Sequence, residues 1–352
     1  MSHINYISKL LAIALLLAGR VAVGASSGDA IDRASVMVRS PDRAVMLGAT
    51  PAGGRIIAVG ERGFIALSDD DGRSWVQAAT PTSVTLTAVR FVDATHGWAV
   101  GHGGTVLASV DGGKSWRRQL DGRRIAQIAL DAARMSGDVS AVRDAERLVS
   151  DGPDKPLLDL LVIDQMRLLA VGAYGIAVGS EDGGRTWTSW MARLPNPKGL
   201  HIYASQMRGS TLLLAGEQGL VMQSEDAGHT FRRIDTPYSG SFFSAELPAD
   251  QSIVLAGLRG TALRSTDGGT SWSSLSTPMP ASIIGTALSA DRRLLAANQA
   301  GFVMALQGDQ FQPINATPLP PVNGMLVRPS GAVLVLTIQG VKIISTASST
   351  AK

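Results

Sequence analysis

Five copies of one eight-residue pattern, a glycine motif repeated seven times and short β-favouring runs between them predict an all-β chain. The architecture they define is a seven-bladed β-propeller of four-stranded antiparallel blades. The pattern reads S-x-D-x-G-x-[ST]-[WF]. It stands at Ser68 to Trp75, Ser109 to Trp116, Ser180 to Trp187, Ser224 to Phe231 and Ser265 to Trp272. The second motif lies about eight residues upstream and is an apolar pair, Gly, two variable residues and Gly. It occurs at Ala58 to Gly63, Ala99 to Gly104, Ala170 to Gly175, Leu214 to Gly219 and Leu255 to Gly260, with weaker forms at Ala296 to Gly301 and Val335 to Gly340. The serines step by 41, 71, 44 and 41 residues. A step of about 40 to 45 residues is the period of a propeller blade, so the step of 71 is one blade plus an insertion.

Taken in order, Met1 to Ala25 carries Lys9, a short apolar run from Leu10 to Ala18 and a small-residue end at Val23-Gly24-Ala25, the form of a secretory signal peptide. Its removal takes away Lys9 and Arg20 and no acid, so the net charge falls from +3 to +1. A nearly neutral domain offers no footprint for nucleic acid. The absence of cysteine excludes disulfides and thiolate metal sites. Residues 26–34 form a polar lead-in, and 26–346 are expected to make one propeller domain. Ser35 to Ser40 alternates like a strand but has no blade of its own. The last blade, with runs at Gly324 to Val327, Ala332 to Leu336 and Val341 to Ile344, has three strands before the chain ends in a Ser/Thr/Ala tail, 347–352, expected to be disordered. Val36 to Arg39 is therefore expected to be its fourth, outer strand, which would close the ring and hide an open sheet edge.

Within a blade, the second blade shows the logic. Leu86 to Val92, Gly97 to Val100, Thr105 to Ser109 and Trp116 to Leu120 are four short β-favouring runs punctuated by Gly, Asp and His. The Gly-x-x-Gly turn joins strands two and three, where glycine supplies positive φ. The Asp pattern joins strands three and four: Asp111 accepts from backbone N–H groups of its own turn, Gly113 takes the left-handed position and Trp116 turns inward. Asp70, Asp111, Asp182, Asp226 and Asp267 are accordingly read as structural staples, because a catalytic acid is not needed in every blade. Blade one spans about Ala44 to Thr80 and blade two about Val84 to Asp121. Between blades two and three, about 122–155, Arg124 to Met135 and Val139 to Val149 are Ala-rich with apolar residues three and four apart. They predict a helix pair, either a docking arm or a cap over a blade edge.

The variable residues of the Gly-x-x-Gly turns are what repetition does not dictate. Arg62, His102, Tyr174, Glu217 and Arg259 are expected at the mouth of the central channel as a mixed polar surface that binds a partner polypeptide. The five histidines, His3, His96, His102, His201 and His229, have no metal-ligand spacing, and no cofactor motif is present. The competing enzyme class is a sialidase-like glycosidase, which wants three Arg, an acid paired with Tyr and a further Asp. Arg62, Arg259, Tyr174 and Glu217 supply part of that set, without a third Arg or an Arg-Ile-Pro motif near the first blade. A glycan-binding module is the third class.

Phe91-Val92-Asp93-Ala94-Thr95-His96-Gly97-Trp98-Ala99-Val100-Gly101, running through Ser109 into Asp111 to Trp116, resembles the repeat of the photosystem II stability/assembly factor-like propeller family. Asp-box repeats also occur in sialidases. The resemblance covers most of the chain beyond residue 25 and implies a seven-bladed propeller exported across a membrane, periplasmic or lumenal. It implies a non-enzymatic, monomeric scaffold that binds a membrane protein and assists assembly or stability of its complex. In photosynthetic organisms such proteins hold an incoming subunit of a reaction centre, and bacterial members also occur without photosystems. The helical insertion departs from that pattern.

Overall fold

The computed structural model describes residues 29–328 and 330–345. The expected signal peptide and the expected C-terminal tail lie outside the described residues. Seven antiparallel sheets follow one another along the chain, six of four strands and one of three. In each, strands are hydrogen-bonded in sequence order, the meander that the spacing predicts. The first strands are Met46–Ala52, Leu86–Phe91, Leu157–Val162, Ile202–Arg208, Phe242–Glu246, Ile283–Leu288 and Val322–Val327. Each packs against the first strand of the next sheet, and the seventh packs against the first.

Burial explains why a single meander would not stand alone. Second strands such as Leu168–Gly172 and Ile253–Gly257 are buried along their whole length, because each is covered on both faces by neighbouring blades. The apolar clusters accordingly lie between blades. Ile57, Val59 and Leu67 of blade one meet Leu86, Leu107 and Trp116 of blade two, and Leu334 and Leu336 of blade seven meet Met46, Ile56 and Trp75 of blade one.

The insertion is the expected helix pair. α1 spans Gly122–Ser136 and α2 spans Val139–Asp151. Asp121 and Asp138 cap them, each accepting from two backbone N–H groups of its helix's first turn. Gly137 ends α1 at φ 72°. α1 buries Ile125, Ile128 and Ala129, whereas α2 buries only Ala145. Neither helix is long and apolar enough to cross a membrane, nor is any other helix among the described residues.

The expectation that Val36 to Arg39 completes the last blade is overturned. These residues form no strand, and the last sheet keeps three strands among the described residues. The segment instead lies along blade one: Val38 N–H donates to Gln77 Oε1 at 2.8 Å, Gln77 Nε2 donates to the Val36 carbonyl at 3.0 Å and Ser35 N–H donates to the Thr80 carbonyl at 3.1 Å. Upstream, Ile31 is buried over the turn of blade two, and Arg118 and Arg123 pair with Asp32 and Asp29. Burial of Ile31 and these ion pairs hold the lead-in across blades one and two. Val36 is left 77% exposed.

Candidate functional site

The two ends of the blades are chemically unlike. At one end sit the five Asp boxes, which satisfy themselves. In blade two Ser115 N–H and Oγ donate to the two Asp111 oxygens at 2.9 and 2.6 Å, and Ser109 Oγ donates to Oδ1 at 2.8 Å. Ser109 Oγ in turn accepts from Gly113 N–H, and Trp116 Nε1 donates to the Gly113 carbonyl at 2.9 Å. Asp70, Asp182, Asp226 and Asp267 repeat the carboxylate bonds with Ser74, Thr186, Thr230 and Ser271, and Trp75 and Trp187 repeat the ring bond to the box glycine. Hydroxyl donation by Ser74 and Ser271, then their backbone N–H groups, hold the Asp70 and Asp267 carboxyls at about 2. A carboxylate this committed is neither a general acid nor a free ligand.

The glycine at the fifth position of each box is required twice over, by positive φ and by a close neighbour. Gly113 has φ 82°, and a Cβ there would lie 2.8 Å from Ile57 of the preceding blade. Trp75, Trp116 and Trp187 likewise pack against the blade before their own. The box is thus a turn staple that also locks neighbouring blades together.

The other end carries the Gly-x-x-Gly turns. The opening glycine pairs with the first residue of its blade's first strand, as Gly60 does with Met46. The third turn residue is left-handed: Arg62 at φ 55°, Tyr174 at 57°, Gln218 at 51° and Arg259 at 56°. Only blade two places glycine there, Gly103 at φ 62°, and a Cβ on it would lie 2.8 Å from Ile31. For the other four, an L side chain occupies a position where glycine is cheaper by roughly 1 kcal/mol.

All five residues singled out from the sequence lie on this end. Arg62, His102, Tyr174 and Arg259 are exposed, and Glu217 is half-buried. Tyr174 and Glu217 are joined through His201, whose backbone N–H donates to Glu217 Oε2 at 3.2 Å and whose ring stands 5.0 Å from the Tyr174 ring. Arg259 N–H donates to Ser282 Oγ at 3.2 Å, and the residue is exposed. Among the described residues, no hydrogen bond, ion pair or ring contact links Arg62, His102 and Arg259 to one another or to the Tyr174–Glu217 pair.

Nearest the first strands, the same end carries a feature that periodicity does not reveal. Pairing slips at the second residue of every first strand, at Leu47, Thr87, Leu158, Tyr203, Phe243, Ile284 and Asn323. Such a bulge re-aims one side chain off the ladder. All seven are half-buried, forming a mostly apolar row inside the polar turns. Tyr203 and Phe243 continue the contact begun by Tyr174 and His201, with ring centroids 6.0 Å apart for His201 and Tyr203 and 5.4 Å for Tyr203 and Phe243. Burial, with Glu217 nearby, raises the Tyr203 hydroxyl above its ordinary value. His201, Tyr203 and Phe243 were not recoverable from motif spacing; Tyr203 and Phe243 are found by their position one residue into their first strands, and His201 stands one residue before its own. No group of three or more His, Asp or Glu suited to a metal exists among the described residues.

Seven sheets whose first strands pack in succession, with one self-satisfied end and one chemically varied end, define a propeller-type repeat scaffold. The family model described as "Photosynthesis system II assembly factor YCF48" matches residues 66–145 and 141–310, and the chain belongs to that family. Among solved structures, YCF48 from Cyanidioschyzon merolae is similar at 15% identity, covering 87% of this chain and 97% of that one with a TM-score of 0.64. Streptogramin B lyase is similar at 12% identity over 90% of this chain and 99% of that one, TM-score 0.67, which at this identity shows a shared fold alone. A structure of YCF48 bound to D1 peptide overlaps over 54% of this chain and 67% of that one at 18% identity, with a TM-score of 0.45, too weak a likeness to transfer anything. No curated protein matches the chain significantly.

Proposed function

We propose that this chain is a non-enzymatic assembly factor, exported to the periplasm or lumen, whose seven blades close into a ring and whose Gly-x-x-Gly end docks a membrane protein while its complex is assembled or stabilised. Family membership supports the assembly role. One observation carries the docking face: Arg62, Tyr174, Gln218 and Arg259 are side chains kept at left-handed positions. Backbone strain retained where glycine would relieve it marks residues whose side chains are used. Arg62 and Arg259 offer forked donors to carboxylates and backbone carbonyls of a polypeptide.

The test is capture of a membrane protein by the full chain from native membranes, with crosslinking and mass spectrometry. Arg62→Glu combined with Arg259→Glu is expected to abolish capture without changing Tm, since both residues are exposed. Capture that survives this pair but fails when 122–155 is deleted would move the site to the helix arm.

A further inference from the structure

The aromatic arc and Glu217 are not fixed by the repeated turn pattern. Their geometry defines a ligand. Tyr174, His201, Tyr203 and Phe243 come from blades three, four and five, and meet edge to face with interplanar angles of 61°, 79° and 64°. Rings so disposed present walls at steep angles to one another, each with an electron-rich face. A cation placed against two such walls is attracted by both ring quadrupoles, the arrangement by which aromatic cages recognise ammonium groups.

Charge points the same way. Glu217 stands at the edge of this arc, half-buried, with one oxygen taken by the His201 N–H. Among the described residues no Lys, Arg or His side chain forms an ion pair with it. The chain already places one ammonium on the arc: Lys155 Nζ lies 5.4 Å from the Tyr174 ring centroid. That ammonium is committed to Asp154 at 2.5 Å and Asp151 at 3.6 Å. Among the described residues, the inner stretch of the arc, with Glu217 beside it, has no such occupant.

We propose that His201, Tyr203 and Phe243, with Glu217, form a recognition site for the basic side chain of a lysine or arginine presented by the docked polypeptide. The assignment rests on the reading that this end is the docking face and supplies its chemistry: Arg62 and Arg259 take acceptors at the outer turns, and the arc takes a cation closer to the first strands. An anion is disfavoured by both the carboxylate and the ring faces. A metal ion finds one carboxylate there and no cluster to complete its coordination.

The experiment titrates the full chain with Nα-acetyl-lysine amide, Nα-acetyl-arginine amide and the uncharged citrulline counterpart, following backbone amide shifts. Saturable shifts at Tyr203, Glu217 and Gln218 are expected with the two cations and not with citrulline. Glu217→Gln is expected to weaken binding about fivefold or more, and Tyr203→Leu by a similar factor. Gln at 217 still accepts from the His201 N–H, so Tm serves as the folding control. Equal shifts with citrulline, or undiminished binding by Glu217→Gln at unchanged Tm, would overturn the site. Membrane-protein capture by the same variants separates the two readings. If the Arg62, Arg259 pair abolishes capture while Glu217→Gln leaves it intact, the docking face stands and the cation site falls. If Glu217→Gln loses amine binding while the arginine pair leaves capture intact, the cation site stands and the docking face falls.

Discussion

The Asp-box end and the Gly-x-x-Gly end of the blades are both built from short repeated turns, yet they spend their side chains differently. In the box, Asp111, Ser109, Ser115 and Trp116 direct their polar atoms back into the turn itself. In the other turn, the backbone closes its own hydrogen bonds, as Gly60 N–H does to the Phe64 carbonyl, and the side chains of Glu61 and Arg62 are left to solvent. A repeated residue whose partners all lie within its own turn is explained by the fold. A varied residue that strains the backbone is not, and that difference separates scaffold from site here.

The comparison can be broken in several ways, beginning with the largest effect. Trp116→Ala and Trp187→Ala remove nearly buried rings from between blades and are expected to cost about 3–5 kcal/mol each in denaturant unfolding. Trp272→Ala should cost distinctly less, because that ring is only partly buried. Equal losses at all three would mean that the boxes do not join blades as described.

The pH dependence of stability has two opposed arms. The folded Asp70 and Asp267 sit at about 2, below the ordinary 3.8, so the unfolded chain binds more protons in this range. Their stabilisation is present above about pH 4 and is lost as pH falls toward 2. Glu246 runs the other way. Burial pushes it up to about 8 from 4.5, with Arg90 opposing. Its contribution is therefore fully present below about pH 4.5 and is lost as pH climbs to 8. Glu246→Gln is expected to flatten the alkaline arm while leaving the acid arm, read from unfolding midpoints across pH 3 to 9.

The smallest effects lie at the strained turn. Arg62→Gly, Gln218→Gly and Arg259→Gly should each stabilise by about 0.5–1 kcal/mol, since glycine adopts positive φ freely. The reverse, Gly103→Ala, should destabilise, with φ 62° and Ile31 in the way. Stabilisation by glycine together with weakened partner binding would sharpen the contrast between the ends. No stabilisation would remove the strain argument.

Much of this architecture was legible because its determinants are local. The Asp box encodes its own hydrogen bonds within eight residues, Gly113 declares a left-handed position, and Asp121 and Asp138 mark the helix starts. The lead-in was misplaced because its determinants are distant: Ile31 packs over Gly103, Gln77 imitates a peptide group toward Val36 and Val38, and Arg118 reaches back to Asp32. Alternation in Ser35 to Ser40 announces an extended chain without saying which blade it lies against. The same limit hid half of the candidate site. Arg62, Tyr174, Glu217 and Arg259 follow from the turn motif, whereas Tyr203 and Phe243 become neighbours only when blades four and five are placed side by side.

The central claim is that a membrane-protein partner docks on the Gly-x-x-Gly end. Its most direct test places a photo-crosslinking residue singly at 62, 102, 218 and 259, at 73, 114, 185 and 229 on the Asp-box end, and at 135 on the helix arm. The account predicts that one membrane protein is crosslinked from the first set and not from the others. Crosslinks to that protein only from the Asp-box positions, or only from 135, would contradict it.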